Sequence, residues 1–251
     1  MKFSIITATY NSAKTLQVCM ESVLNQTYKD IEYIIVDGHS TDRTIELIES
    51  YKTKDANIIV SSEKDQGIYD ALNKGIAKAS GEIIGFVHSD DFLASNDIIE
   101  KIAQIFKGED ADGVYGNLHY VRFDNVDSVV RNWNSQNFDS KLLNRGWMPA
   151  HPTLFLKKKV YETNGSFNLD YRIAADYDFI LRVFKTKNYK FYFLPEIITK
   201  MRVGGASNRS LKNLFLKTKE DLKAAKSNKI KLPYVAIGLK NLSKIPQWLT
   251  K

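Results

Sequence analysis

The chain has 251 residues, 43% of them hydrophobic and 26% charged, with a formal net charge of +7. This is the profile of a soluble globular protein, long enough for one large α/β domain or for one domain with an appendage. A lone cysteine, Cys19, excludes an intramolecular disulfide and a cysteine-rich zinc site, and no run reaches the roughly 18 apolar residues of a membrane-spanning helix.

Phe3–Ala8 (FSIITA) is a short apolar, β-branched run that predicts a strand covered on both faces, not a signal peptide. Leu16, Met20, Val23 and Leu24 recur at helical spacing, and Cys19 within that helix reads as a buried structural thiol. Ile31–Val36 is the second strand. It stops at Asp37-Gly38, and Ser40–Asp42 opens a helix with Thr44, Ile45 and Ile48 on one side. Asn57–Ser61 and Glu82–Val87 are further strands, separated by a helix over Ile68–Ala79, and Asn96 caps a helix that runs to Phe106. The βαβαβαβ order predicts a Rossmann-like, mostly parallel, doubly wound sheet with helices on both faces and right-handed crossovers.

After residue 110 the pattern changes. Gly113–Tyr120 and Val126–Trp133 are longer, more polar strands of antiparallel character, and 134–150 is a loop ending in Trp147-Met148-Pro149-Ala150. His151–Phe155 reads as a strand, Asp176–Lys185 as an amphipathic helix and Tyr189–Leu194 as a strand. From Ser210 the spacing is helical. The expected boundaries are a main domain over 1–207, with halves of about 1–110 and 111–207, and a basic helical tail over 208–251. In the tail leucines interleave with lysines. Such helices either lie on an anionic membrane, at roughly 1 kcal/mol per near-surface Lys or Arg, or pack on the domain with a solvated basic face.

Ligands of open parallel sheets bind outside the carboxyl ends of the strands. Three polar sets fall there in succession: Thr9-Tyr10-Asn11, Asp37-Gly38 and Ser89-Asp90-Asp91. Each alone suits a turn or a helix cap; together they define one edge. Adjacent carboxylates after a buried strand repel, and a divalent cation bridging to phosphate oxygens relieves that repulsion. Magnesium or manganese suits such an oxygen-rich site.

FSIITATYNSAKTLQVCMESVLNQTYKDIEYIIVDGHSTDRT resembles the opening of family-2 glycosyltransferases of the GT-A fold. SEKDQGIYDALNKGIAKASGEIIGFVHSDDFL is similar to their following segment, with HSDD matching the DXD-type motif. NGSFNLDYRIAADYDFILR resembles the region of the catalytic base, and GGAS at 204–207 resembles a loop of related bacterial enzymes. The resemblance implies a nucleotide pocket lined by Thr9 and its neighbours, Asn11 included. It implies Asp37 as acceptor of a uracil imide proton, Asp65 near the base or ribose, Asp90 near the ribose and donor sugar, Asp91 on the metal and Asp176 as base. Where the family often has Glu-Asp, this chain has Ala175-Asp176.

The remaining candidates each have two readings. His88 faces the metal or packs at a strand end. His151, in WMPAHPTLF, lies on the acceptor or phosphate side by resemblance. His39 is a turn residue and His119 a strand residue. Gly204-Gly205 is a phosphate-covering loop or an ordinary turn, and Arg202 and Arg209 meet the diphosphate or stay solvated. Trp147 is an acceptor-sugar platform or core packing.

The expected enzyme is an inverting hexosyltransferase on the cytoplasmic side of a membrane. It takes its donor from a UDP-sugar such as UDP-galactose or UDP-glucose and uses Mn2+ or Mg2+. Its acceptor is a lipid-linked (undecaprenyl diphosphate) saccharide of O-antigen, capsule or another surface polysaccharide. A sugar-nucleotide nucleotidyltransferase is the alternative, but TATYNSAKT lacks the glycine- and arginine-rich phosphate loop it needs. A non-catalytic nucleotide- or polyanion-binding module is another; acids cluster where such a module would place lysines, and no nucleic-acid motif is present.

Overall fold

The centre of the sheet is built from runs that have no polar face. In the computed structural model, which describes residues 1–55, 57–186, 188–204, 211–244 and 246–248, every residue of β1 (Phe3–Thr9) is buried. β2 (Ile31–Asp37) is nearly so. Alternation sends Phe3, Ile5, Tyr33 and Ile35 into one apolar cluster and Ile6, Ala8, Ile34 and Val36 into another. The first cluster is covered by α1 (Leu16–Leu24), α2 (Thr44–Lys52) and α4 (Ile98–Gly108). The second is covered by α3 (Ile68–Lys78) and α6 (Ala175–Phe184). α3 approaches so closely that a Cβ on Gly75 would stand 2.4 Å from Cγ2 of Ile6.

β3 (Ile58–Ser62), β2, β1 and β4 (Ile83–Phe86) pair in parallel in that order, as expected. The sheet then turns mixed. β8 (Phe155–Lys157) is antiparallel to both β4 and β6 (Gly113–Val121). β6 also carries β7 (Val129–Trp133) antiparallel and β9 (Phe191–Arg202) parallel, and short β5 (Phe92–Leu93) lies antiparallel on β9.

Several boundaries differ from expectation. His151–Thr153 forms a 3-10 turn, and the strand begins only at Phe155. Pro152 has no N–H to give a ladder, and the Ala150 carbonyl accepts from Thr153 N at 2.9 Å instead. β9 continues eight residues past Leu194, to Arg202, because register shifts against β6 absorb Pro195. Asn96 is not a cap: α4 follows Asp97, and the Asn96 carbonyl accepts from Thr27 N at 2.7 Å. A short helix, α5 (Lys158–Asn164), had no sequence signal.

The lysine-rich tail forms α7 (Leu211–Ser227) and α8 (Pro233–Leu242). Ala224, Ala225, Ala236 and Ile237 complete the second apolar cluster. Buried Asp221 on α7 accepts from Lys240 of α8 at 2.9 Å and from Lys217 at 3.0 Å. The inner side of these helices is thus part of the core. The outer side exposes Leu214, Phe215, Tyr234, Val235, Leu239 and Leu242.

Candidate active site

Strand register assembles the expected edge. Thr9 pairs with Asp37 and Asp37 with Ser62, and Val87 N donates to the Ile6 carbonyl at 3.1 Å, so the His88-Ser89-Asp90-Asp91 loop leaves the sheet beside them. Ser12 and Ser89 hydroxyls meet at 2.9 Å and tie the first loop to the acidic one. Cys19 is the buried structural thiol expected; burial pushes it up to about 12, and its Sγ contacts the His88 carbonyl at 3.3 Å.

The donor-side residues divide into fastened and open groups. Asp37 is fully buried. Its carboxylate accepts from Ser40 N at 2.9 Å, from Ser62 Oγ at 2.7 Å and from the Ser40 hydroxyl. A uracil imide reaches it only where one of those hydroxyls turns away. Asn11, at φ 49°, spends its side-chain oxygen on the next loop, accepting from Thr41 N at 2.8 Å. Asp65 is half-buried against the backbone of Gly38, where a Cβ would meet its Oδ2 at 2.4 Å. Thr9 is buried with its hydroxyl unpartnered.

The two carboxylates of the acidic pair are buried unequally. Asp91 is 0% exposed; Oδ1 accepts from Arg202 N at 3.2 Å and Oδ2 is buried without a partner. Burial, and then the Asp90 charge, push its carboxyl well above the usual aspartate range. Asp90 is the member left partly open. Arg202 is turned toward the acidic loop. It is buried, donates to the Asp90 carbonyl at 2.6 Å and lies over the Phe92 ring. Gly204 is exposed at φ 101°; Gly205 and Arg209 lie outside the described residues.

No group of three or more His, Cys, Asp or Glu converges among the described residues. The chain therefore offers a cation one open carboxylate and one enclosed one. That fits a magnesium-like ion completed by substrate phosphates, not an all-protein cage.

Asp176 lies in the first turn of α6, partly open. Its Oδ1 accepts from Tyr177 N at 2.7 Å and from Tyr69 Oη at 3.2 Å. Burial raises its carboxyl above the usual range, while the charges of Lys240 and Lys217 pull it back. Glu220 of α7, buried, accepts from the N–H groups of Arg172, Ile173 and Ala174 at 3.0, 2.8 and 3.0 Å. Neither Tyr69 nor Glu220 was singled out by sequence; Glu220 is 46 residues from Ala174, and no local pattern links them.

His88 and His151 are neighbours, with ring centroids 5.9 Å apart, and each buries one nitrogen without a partner. Burial, followed by the nearby His88, pulls His151 down to about 3. Burial also lowers His88, against the pull of Asp90 and Asp176. His151 is thus a neutral imidazole among Phe86 and Phe167, not a charged phosphate contact. Trp147 packs among Tyr115, Phe138 and Phe184 in the core role.

The profile of Glycosyl transferase family 2 matches residues 4–170, more than half of the chain. A glycosyltransferase of PGL/p-HBAD biosynthesis from Mycobacterium bovis is 32% identical over 223 residues, covering 86% of this chain and 82% of its own. The TarS structure from S. aureus with UDP-GlcNAc superposes with a TM-score of 0.68 at 22% identity, over 88% of this chain and 67% of that fragment. Against the longer TarS chain the coverage is 40%. The mannosyltransferase PcManGT of Pyrobaculum calidifontis, solved with GDP-Man and Mn2+, gives 0.67 at 17% identity, covering 99% of this chain and 73% of its own.

Proposed function

Because the chain belongs to glycosyl transferase family 2, and so is a glycosyltransferase, we propose that it moves a hexose from a UDP-sugar to a hydroxyl of a saccharide acceptor with inversion. The family selects glycosyl transfer over the nucleotidyl-transfer alternative. The observation that carries the proposal is the pairing of two unlike carboxylates. Asp90 is partly open at the donor edge, and Asp176 is raised in pKa at the start of α6. His88 lies within electrostatic reach of both.

Asp176 takes the proton of the acceptor hydroxyl as that oxygen attacks the anomeric carbon. A carboxylate held above its usual range is, when ionised, a stronger base than a free aspartate. Tyr69 and the Tyr177 N–H hold it in place. Asp90, with Asp91 behind it, would hold a divalent cation, which would supply charge neutralisation for the departing nucleoside diphosphate. Asp65 and Gly38 form the wall toward the base. TarS has been solved with a UDP-sugar and PcManGT with a GDP-sugar, so the nucleotide is chosen by such local contacts rather than by the fold.

The acceptor is a lipid-linked saccharide of a surface polysaccharide, such as O-antigen or capsule. No helix among the described residues is long and apolar enough to cross a membrane. What supports membrane contact is the exposed apolar side of α7 and α8, set among lysines.

A screen of UDP-galactose, UDP-glucose and UDP-GlcNAc, with Mn2+ or Mg2+ and a synthetic lipid-diphosphate sugar, tests the reaction by UDP release and product formation. Full transfer by both Asp90→Asn and Asp176→Asn would sink it. Flotation of the full chain with anionic vesicles tests the outer face of the tail; absence from the floated fraction removes the membrane from the proposal.

A further inference from the structure

The segment leading into α6 is gripped from two sides, by elements far apart in sequence. From α7, Glu220 accepts the N–H groups of Arg172, Ile173 and Ala174. From α3, Tyr69 donates to the Ile173 carbonyl at 2.7 Å. Ile173 is thus held at its N–H and at its carbonyl. Asn73 lies one turn after Tyr69 on the same face of α3 and holds the start of the same segment. Its Nδ2 donates to the Phe167 carbonyl at 2.8 Å, and its Oδ1 accepts from Phe167 N at 2.9 Å. The Tyr69 and Phe167 ring centroids are 5.4 Å apart. A polar network satisfied in this way rigidifies the backbone it holds.

Tyr69 differs from Asn73 and Glu220 in one respect: its hydroxyl also reaches Oδ1 of Asp176, at 3.2 Å. Tyr177 N donates to that same oxygen at 2.7 Å. No hydrogen bond to Oδ2 forms among the described residues. The two oxygens of the carboxylate are therefore unlike, Oδ1 fastened and Oδ2 free. A tyrosine hydroxyl has one proton to give, and here a carbonyl and a carboxylate share it. The ionised carboxylate is the stronger acceptor of the two.

We propose that Tyr69 is a positioning residue for the base: it fixes Oδ1 of Asp176, so that Oδ2 is the oxygen that takes the acceptor's proton. Once Oδ2 is protonated, the charge that drew the Tyr69 proton is gone. The hydroxyl then falls back on the Ile173 carbonyl, which Glu220 keeps in place. The assignment rests on the reading of Asp176 as the base.

Tyr69→Phe keeps the ring against Phe167 and removes only the hydroxyl. Asn73→Ala frees the same segment without touching Asp176 and serves as the comparison. The first readout is a carboxyl NMR titration of the full chain, with Asp176 assigned by the signal that Asp176→Asn removes. Tyr69→Phe should raise the Asp176 midpoint by about 0.5–1 pH unit, because a donor to the ionised form is lost. Asn73→Ala should lower Tm and leave that midpoint where it is. Lys217, Lys240 and Asp221 also act on this carboxyl, and His88 of the acidic loop and Tyr120 of β6 lie within electrostatic reach. Both variants leave all of these in place. The second readout is turnover: Tyr69→Phe should lower kcat about tenfold, with the KM of donor and acceptor unchanged.

An unmoved midpoint, an equal shift in Asn73→Ala, a kcat at or above the wild-type value, or a Tyr69→Phe chain that does not fold overturns the assignment. Full transfer by Asp176→Asn takes down the function proposed above and the role of Tyr69 with it. An inactive Asp176→Asn beside a Tyr69→Phe of normal turnover takes down the role of Tyr69 alone.

Discussion

The two ends of the same three parallel strands are built on opposite principles. At the amino end, Glu32 of β2 is buried and saturated. It accepts from Ser4 Oγ at 2.5 Å, Ser80 N at 2.6 Å, Ser80 Oγ at 2.5 Å and Gly81 N at 3.1 Å, and it pairs with Lys2 at 2.6 Å. At the carboxyl end, Thr9 Oγ1, His88 Nδ1 and Asp91 Oδ2 are buried with no partner. Buried polar atoms are nearly always satisfied in a finished protein. The amino end is therefore complete in itself, and the carboxyl end leaves three polar atoms unanswered, as the proposed donor site requires.

The largest effect that would test this contrast is on chemistry. Asp176→Asn should lower kcat by about 10²–10⁴-fold, with little change in Tm; a small loss would remove Asp176 from the mechanism. Next comes the saturated end. Glu32→Gln turns an acceptor into a donor facing donors, and should cost about 2–3 kcal/mol in urea unfolding. Burial pushes Glu32 up, but its bonds to Lys2, Ser4 and Ser80 outweigh that and bring it to about 2, from an ordinary 4.5. A carboxyl depressed on folding stabilises fully above its unfolded value. The gap between wild type and variant should therefore close as pH falls from 4.5 toward 2, and a gap constant across that range would contradict the assignment.

A smaller effect is expected at Gly38. An alanine Cβ would displace only the end of the Asp65 side chain, so Gly38→Ala should raise the donor KM by about tenfold at nearly unchanged stability. An unchanged KM would take Asp65 out of the donor pocket. The smallest effect has the opposite sign. Asp91→Asn keeps an acceptor for Arg202 N–H and removes a buried charge, and should stabilise the apo protein by about 1 kcal/mol, read as a Tm rise of a few degrees. Destabilisation by this variant would erase the difference between the two ends.

Much of the parallel half was legible because its signals are local. The helix over Leu16–Leu24 agrees residue for residue, and β1 and β2 each run one residue beyond the expected end. Runs buried on both faces, separated by turn residues, leave few other folds open. The second half depends on distant partners. Whether Asp90 or Asp91 turns inward is decided by Arg202, more than 100 residues later, and the length of β9 by its pairing with β6. The place of Lys240 depends on Asp221, one of two adjacent acids in a largely basic stretch. Charge counting along the tail could not tell its inner lysines from its outer ones.

Glu220 carries a consequence for how such a chain is assembled and exchanged. Its carboxylate grips the three N–H groups just ahead of Asp176, so the last fifth of the sequence sets the posture of the proposed base. The C-terminal segment is therefore no detachable anchor that recombination could swap among relatives to redirect a common catalytic body. A graft that brought a new membrane address without an acid at this place would deliver the body to its destination with its base unsupported.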